Sequence, residues 1–228
     1  MPITTFVFDA YGTLLDVNAA ARAAASEPAF ARLGPIWQDV ATTWRNKQLE
    51  YSWLRAITQA HTDFWTVTQD ALDWALEAND LDGDEALRQR LLDLYRELDA
   101  YPEAPDVLSK LKSAGKSTAI LSNGSPDMLD AAVSAAGLGS LLDDVLSVET
   151  VGVYKPDARV YGMVEARFGA NPSQVLFVSS NGWDVAGAAA FGFQTIWINR
   201  AGLPVDRMPG RPAHIAADLT AVLETAGV

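Results

Sequence analysis

The sequence contains no cysteine and only two histidines, His61 and His214. The lack of cysteine excludes disulfides, thiol nucleophiles and cysteine–zinc sites, and two histidines are too few for a multi-histidine metal site. Basic residues are scarce as well, because 17 lysines and arginines face 29 aspartates and glutamates, giving a net charge of −12. Binding to nucleic acid or to an anionic membrane depends on a basic surface, so neither partner is expected.

Long hydrophobic runs are also missing. No apolar run reaches the roughly 18 residues that a membrane-spanning helix needs, and the first residues do not resemble a secretory signal. We therefore expect a soluble, cytoplasmic protein. The chain has 228 residues, of which 49% are hydrophobic and 20% charged. This composition is typical of globular proteins, and the chain is long enough to form a hydrophobic core without disulfide bonds.

What is present is an alternation of short apolar runs and helical stretches. The apolar runs are continuous, which is typical of strands buried on both faces of a parallel sheet; they are 6–8, 118–121, 175–178 and 195–198. The helical stretches each end near a glycine; they are 105–114, 127–136, 157–168 and 184–191. The alternation predicts an α/β fold with a doubly wound, parallel, Rossmann-like sheet.

Residues 18–97 interrupt this alternation. They are rich in alanine and tryptophan and show helical spacing without a convincing strand. We interpret them as an inserted helical cap domain, with residues 1–17 and 98–228 forming the Rossmann-like core. Near the end of the chain, 203–212 is predicted to be a loop and a last helix is predicted near 216–225.

Polar residues follow the predicted strands, where open parallel sheets bind their ligands. These candidates are Asp9, Ser122, Asn123, Ser179, Asn181 and Asp184, joined by Lys155 in a loop that opens a helix. Each also has an ordinary explanation. Asp9 could simply cap a turn, Asp184 could be a first-turn charge favoured by the helix dipole, and Lys155 could be a solvated lysine. Their common order and spacing favour a functional site.

Four short motifs carry a resemblance. They read FDAYGTL at 8–14, LSNG at 121–124, YKP at 154–156 and VSSNGWD at 178–184. In this order they resemble the four motifs of the haloacid dehalogenase superfamily, whose first motif carries a nucleophilic aspartate, here Asp9. The resemblance covers the whole predicted core, and the family often inserts a cap at the position of the helical stretch.

Two departures from the phosphatases of this superfamily narrow the prediction. Tyr11 stands where phosphatases carry a second aspartate, which protonates the leaving oxygen; a leaving halide needs no proton. Ser179 and Ser180 stand where phosphatases have Gly-Asp, so one carboxylate ligand of the usual magnesium is missing. Both departures match the (S)-2-haloacid dehalogenase branch. The resemblance therefore implies hydrolysis of a small 2-haloacid with release of a halide ion, without metal or other cofactor, by a homodimer.

The resemblance also implies a role for each site residue. The residues expected to act in catalysis are the nucleophile Asp9, its counter-charge Lys155, the water-activating Asp184, and the supporting Ser179, Asn181 and Thr13. Those expected to bind substrate are Tyr11, Arg45, Phe64, Ser122, Asn123, Tyr161 and Trp183. Within this second set, Ser122 would hold the substrate carboxylate; the halide pocket would consist of Arg45, Asn123, Phe64 and Trp183.

Two alternatives stay open at this point. The first is a magnesium-dependent phosphatase of the same superfamily, with Asp9, Asp184 and the backbone carbonyl of Tyr11 as ligands; the missing acid at Tyr11 argues against it. The second is a catalytically silent binding protein that has kept the fold. The complete set of polar groups, including Arg45 in the predicted cap, argues against that.

Overall fold

The computed structural model describes residues 2–228 and divides into two compact units. The sheet unit comprises the chain up to Leu15 together with Ala100–Asn123 and Gly137–Val228. The helical unit comprises Asp16–Asp99 and Gly124–Ala136. Over residues 2–228, none of the helices has the length and apolar character that crossing a bilayer would require.

The helices and strands of residues 2–228 follow one another in this order. The helices are α1 (Ala19–Ala25), α2 (Trp37–Thr58), α3 (Phe64–Glu77), α4 (Glu85–Arg96), α5 (Ala104–Ser113), α6 (Pro126–Ala135), α7 (Ala158–Phe168), α8 (Gly182–Phe191) and α9 (Ala221–Ala226). The strands are β1 (Thr5–Phe8), β2 (Ser117–Ser122), β3 (Asp144–Ser147), β4 (Val175–Ser179), β5 (Gln194–Ile198) and β6 (His214–Ala216).

The strands of the described chain form one parallel sheet in the order β3-β2-β1-β4-β5-β6. The predicted α/β fold with a parallel sheet is thereby confirmed. Strand β1 lies between β2 and β4, and Phe8 is in register with both Ile120 and Val178. Because parallel strands end at the same edge of a sheet, the residues that follow β1, β2 and β4 emerge side by side.

The central strands form because their side chains are apolar on both faces. Every residue of β1 and β4 is buried, as expected for strands covered on both sides. Helix α7 is capped at its start by Asp157, whose side chain accepts the Arg159 N–H, and at its end by Gly169, which has a left-handed φ of 61°. The four helices predicted in this part of the chain form within two residues of their predicted bounds.

Two strands were not predicted. Strand β3 begins with a charged Asp144, and β6 is a three-residue edge strand whose His214 and Ile215 are exposed. Neither shows the continuous apolar run that marks a buried strand. The last helix, predicted near residues 216–225, is present, but its predicted start was wrong, because Ala216 pairs with Ile198 in the sheet and α9 starts only at Ala221.

The helical unit is built around α2 and α3. Helices α3 and α4 each begin with an aspartate cap, because Asp63 accepts the Thr66 N–H and Asp84 accepts the Leu87 N–H. Inside this unit the rings of Trp44 and Tyr95 lie 4.9 Å apart. Helix α6 also belongs to this unit, and its Asp127 lies 3.5 Å from Arg96 of α4 in a solvent-exposed ion pair.

Candidate active site

Asp9 follows β1 directly and is only 6% exposed. Its backbone N–H donates to the Val178 carbonyl at 2.9 Å. Carboxylate Oδ1 accepts from Lys155 Nζ at 3.0 Å, and Oδ2 accepts from Thr13 Oγ1 and Asn181 Nδ2, each at 3.0 Å. Donors from three segments of the sheet unit therefore hold both oxygens of this carboxylate.

A tight turn after Asp9 brings Thr13 back to it. The Gly12 N–H donates to the Leu15 carbonyl at 2.7 Å, and Gly12 has a left-handed φ of +89°. A Cβ at this position would also lie 3.1 Å from Ser180 Oγ. Only glycine meets both demands without strain, so the turn depends on Gly12.

Lys155 is buried and its ammonium lies between two carboxylates. Nζ donates to Asp9 Oδ1 at 3.0 Å and to Asp184 Oδ2 at 2.9 Å, and it also lies 5.1 Å from the centre of the Phe177 ring. Burial opposes the charged form of Lys155. The negative charges of Asp184 and Asp9 outweigh that effect, so the pKa of Lys155 lies above its ordinary value.

Asp184 lies in the first turn of α8 and is fully buried. Burial raises its pKa to about 6; Lys155 opposes the rise, Asp9 adds to it, and a hydrogen bond from Tyr161 opposes it. Tyr161 Oη donates to Asp184 Oδ1 at 2.8 Å. Burial and the charge of Asp184 raise the pKa of Tyr161 well above its ordinary value, so its hydroxyl stays protonated as a donor.

The loop from β4 to α8 joins the cluster through its backbone. Ser179 Oγ accepts the Asn181 N–H at 3.1 Å, and the Ser180 N–H donates to Thr13 Oγ1 at 2.8 Å. Trp197 Nε1 donates to the Ser180 carbonyl at 3.0 Å. Ser180 and Trp197 were not predicted as site residues. The strand-end rule that selected Ser179 applies equally to Ser180, whereas no sequence signal distinguishes Trp197.

The end of β2 meets the Lys155 loop. Asn123 Oδ1 accepts the Lys155 backbone N–H at 3.0 Å, which orients the carboxamide of Asn123. Ser122 is buried at the last position of β2, and Tyr11 is buried in the turn after Asp9. Trp183 is half-buried beside Asp184 in α8.

Arg45 and Phe64 belong to the helical unit, on α2 and α3. Arg45 Nη1 donates to Gln48 Oε1 at 2.7 Å, and Phe64 is buried as the first residue of α3. Gln48 was not predicted, although its position three residues after Arg45 places both on one helix face. The roles of Arg45 and Phe64 in binding substrate stay predictions.

The cluster in the sheet unit suits attack by a carboxylate. The Asp9 carboxylate is held at both oxygens, and Asp9 and Asp184 lie on either side of the Lys155 ammonium. Within residues 2–228, no three or more His, Cys, Asp and Glu side chains are grouped as metal ligands. Lys155 places a buried cation beside the Asp9 carboxylate, and a carboxylate is a group that can act as a nucleophile in covalent catalysis.

Comparison with known proteins shows the family of the chain. Residues 3–192 match the family model of the haloacid dehalogenase-like hydrolases. The chain is 49% identical over 203 residues to (S)-2-haloacid dehalogenase 1 of Pseudomonas sp. strain CBS-3, covering 89% of this chain and 87% of that protein.

Solved structures of dehalogenases are similar to this chain in sequence and in fold. A dehalogenase crystal structure is 43% identical with a TM-score of 0.92, covering 97% of this chain and 96% of the other. The L-2-haloacid dehalogenase of Xanthobacter autotrophicus, solved with chloropropionic acid covalently bound, is 37% identical with a TM-score of 0.86, covering 97% of both chains. The resemblance found in the sequence is confirmed: the chain belongs to the haloacid dehalogenase-like hydrolases, among the relatives named as (S)-2-haloacid dehalogenases.

Proposed function

We propose that this protein hydrolyses short (S)-2-haloalkanoic acids to (R)-2-hydroxyalkanoic acids, with inversion at C2 and without a metal ion. The observation that carries the proposal is the Asp9 carboxylate, held at both oxygens and paired with the buried ammonium of Lys155. The similar Xanthobacter autotrophicus protein, solved with chloropropionic acid covalently bound, supports a covalent intermediate.

The first step brings two anions together. At about 4 Å and an effective dielectric near 20, a substrate carboxylate and the Asp9 carboxylate would repel by roughly 4 kcal/mol. The Lys155 ammonium, 3.0 Å from Asp9, offsets this repulsion. An oxygen of Asp9 then bonds to C2 while the carbon–halogen bond breaks, so the halide leaves with the bonding pair and an ester forms.

The second step returns the enzyme to its starting state. Water attacks the acyl carbon of the Asp9 ester and gives one proton to the base. The bond between the acyl carbon and the ester oxygen breaks, and the departing alkoxide, whose oxygen came from Asp9, takes up this proton as the hydroxyl of the hydroxy acid. The second proton of the water passes to solvent as the Asp9 carboxylate forms again. Asp184 is our candidate for activating this water, because a pKa of about 6 leaves it ionised at neutral pH yet basic enough to take a proton. Asn181 and Thr13, which donate to Asp9 Oδ2, would steady the developing oxyanion.

Substrate recognition is assigned by the same resemblance. Ser122 and the backbone N–H groups of the turn after Asp9 would hold the substrate carboxylate, with Tyr11 and Tyr161 supporting the site. The departing halide would be received by Arg45, Asn123, Phe64 and Trp183. Of these, Asn123 has an orientation already set by the Lys155 N–H.

A magnesium-dependent phosphatase is disfavoured by the donor set. Ser180 stands where the phosphatases carry an aspartate ligand, and its N–H and Oγ are bonded to Thr13. The space between the carboxylates of Asp9 and Asp184 contains the Lys155 ammonium.

The same proposal includes a homodimer, a cap domain at residues 18–97 and a cytoplasmic location. Support for the dimer comes from a groove of about 460 Å³ on α2 and α3, whose lining includes Leu54 and Trp74, 48% and 41% exposed. The groove also carries charges of both signs, among them Arg55 and Asp70. Such a surface can pair with its own copy about a two-fold axis.

The decisive experiment is halide release from each enantiomer of 2-chloropropionate in excess EDTA. We expect release from the (S) form at a rate that EDTA does not change. Asp9→Asn should lower this rate by at least about 10⁴-fold, as expected when a nucleophile is removed. Asp106→Asn is the matched control, because Asp106 is an exposed aspartate on α5. Among the ion pairs of residues 2–228, its one partner is Lys110, at 2.7 Å.

A single turnover in ¹⁸O-water separates the ester route from direct attack by water. Through the ester, the first product molecule carries an unlabelled hydroxyl oxygen and the label appears in the Asp9 carboxylate. Label in the first product would contradict the ester. Failure to release halide from either enantiomer, with phosphate-ester hydrolysis on adding magnesium, would establish the phosphatase instead.

A further inference from the structure

The helical unit contains a buried polar chain that the proposed function does not use. Gln48 lies on α2, three residues after Arg45, and is 1% exposed. Its Oε1 accepts from Arg45 Nη1 at 2.7 Å, and its Nε2 donates to Thr68 Oγ1 at 2.8 Å. Thr68 is itself fully buried on α3.

The direction of these hydrogen bonds is determined by their ends. Thr68 Oγ1 donates its single proton to the Phe64 carbonyl at 2.7 Å, so toward Gln48 it can only accept. Gln48 must therefore turn Nε2 to Thr68 and Oε1 to the other side, where Arg45 approaches. Because a guanidinium only donates, this is the one orientation of the amide that satisfies both neighbours.

Aromatic side chains enclose this chain. Tyr95 Oη lies 3.2 Å from Gln48 Nε2 and 3.3 Å from Gln48 Oε1, and Trp44 Nε1 donates to the Thr68 carbonyl at 2.9 Å. Both rings are buried. Hydrogen bonds between buried groups are stronger than those at the surface, so these contacts hold Gln48 in one position.

The chain of bonds joins two residues assigned to the halide. It runs from the guanidinium of Arg45 through Gln48 and Thr68 to the backbone of Phe64. We propose that Gln48 is a positioning residue that orients Arg45 toward the halide, with Thr68 anchoring Gln48 to the start of α3. This inference rests on the proposed function, which assigns Arg45 and Phe64 to the halide.

A positioning role predicts an effect that depends on the halogen. Chloride is a poorer leaving group than bromide and binds more strongly to a well-placed donor, so losing the orientation of Arg45 should slow release of chloride more. Gln48→Met keeps the approximate shape of the side chain and removes its hydrogen bonds to Arg45, Thr68 and Tyr95. We expect kcat/KM for (S)-2-chloropropionate to fall roughly 10- to 100-fold, the range for a bond to a charged group, and for (S)-2-bromopropionate to fall less.

Product inhibition by sodium chloride gives an independent readout, and we expect the inhibition constant to rise in Gln48→Met. Thr68→Val removes the hydroxyl that accepts from Gln48 but keeps a β-branched side chain, so kcat/KM and the chloride inhibition constant should change as in Gln48→Met. Thr68→Ser keeps the hydroxyl, so both quantities should stay near their wild-type values. Ser52→Ala is the matched control, because Ser52 is also buried on α2 but donates to the Leu49 carbonyl, outside this chain of bonds.

The outcomes separate the possible failures. Unchanged chloride-to-bromide ratios and chloride inhibition in folded Gln48→Met and Thr68→Val, whatever their melting temperatures, would overturn the proposal. If Gln48→Met does not fold, Thr68→Val and Thr68→Ser decide the question. An Arg45→Ala protein with normal halide readouts would refute the assignment of Arg45, while a wild-type protein that releases no halide would refute the proposed function itself.

Discussion

At the scale of single residues, the site is a run of alternating charges. Asp9, Lys155 and Asp184 come from three different parts of the chain and meet within 3.0 Å contacts. Their positions after strands or at a helix start made them predictable from the sequence. The sequence does not show which oxygen of Asp9 faces Lys155, nor that Tyr161 on α7 donates a hydrogen bond to Asp184 on α8.

The pH dependence of the reaction should report on Tyr161. Its hydroxyl donates to Asp184 and favours the ionised form, against the burial that raises the pKa of Asp184 to about 6. In Tyr161→Phe this support is lost, so the pKa of Asp184 should rise further. Because the proposed mechanism needs ionised Asp184, the acid limb of the kcat/KM profile should move to higher pH.

The measurement is kcat/KM for (S)-2-chloropropionate between about pH 4 and pH 9. Tyr51→Phe, in the helical unit, serves as the control and should keep the wild-type profile. If the acid limb of Tyr161→Phe stays in place while the maximum falls, Tyr161 supports the site in some other way and Asp184 does not govern the limb.

Some contacts could not be read from the sequence. Ser180 and Gln48 are ordinary polar residues whose partners, Thr13 and Arg45, are identified by tertiary geometry. Ser180 directly follows the predicted site residue Ser179, and Gln48 lies one helical turn after the predicted site residue Arg45. Neither was predicted as a site residue, because a serine in a turn and a glutamine on a helix are most often exposed to solvent.

At the scale of secondary-structure elements, the fit of α7 against α8 depends on glycine. A Cβ built on Gly187 of α8 would lie 2.5 Å from Tyr161 Oη and 2.7 Å from Pro156 Cβ. A Cβ built on Gly162 of α7 would meet Phe191 Cζ at 3.9 Å, an ordinary contact. Gly187 therefore provides the space in which Tyr161 reaches Asp184.

The two glycines give a matched pair of variants. Gly187→Ala should lower the free energy of unfolding by about 1–3 kcal/mol, as overpacking does, and should reduce kcat by displacing Tyr161. Gly162→Ala should leave kcat unchanged and add up to about 1 kcal/mol, because alanine favours a helix over glycine. Denaturant unfolding and steady-state kinetics measure both. Wild-type stability and activity in Gly187→Ala would show that α7 and α8 can separate without cost.

The elements themselves were predictable to different degrees. Buried strands such as Val175–Ser179 leave a continuous apolar run, and helices ending at glycine leave a clear boundary. The short strand His214–Ala216 leaves no such run, because an edge strand needs to bury little and is held mainly by pairing with Gln194–Ile198. Its neighbour along the chain, α9, was consequently placed too early.

At the scale of the whole molecule, the proposed dimer can be tested on the groove of α2 and α3. Leu54→Glu puts a charge on this surface, so we expect a monomer where the wild type is a dimer in light scattering after size exclusion. Leu203→Glu is the control, since Leu203 is 60% exposed in a loop of the sheet unit. A dimer that survives Leu54→Glu, or a monomeric wild type, would contradict the proposed interface.

The overall architecture was predictable because it follows from patterns that extend over many residues. Four apolar runs and the helices between them were enough to predict the parallel sheet. The alanine- and tryptophan-rich stretch was enough to predict helices between the first two predicted strands. Helix α6 shows the limit of this reasoning. It follows β2 in the chain, yet its Asp127 pairs with Arg96 in the helical unit, and an ion pair between distant segments leaves no sequence period.

The buried run of charges also bears on attempts to engineer this protein. Two carboxylates and one ammonium sit in the interior at a desolvation cost that well-packed apolar side chains would avoid. Natural selection would retain them for turnover, so selection for heat resistance alone should tend to erode them. Attempts to raise the thermal stability of this protein should therefore keep Asp9, Lys155 and Asp184 unchanged and place stabilising substitutions elsewhere in the helices.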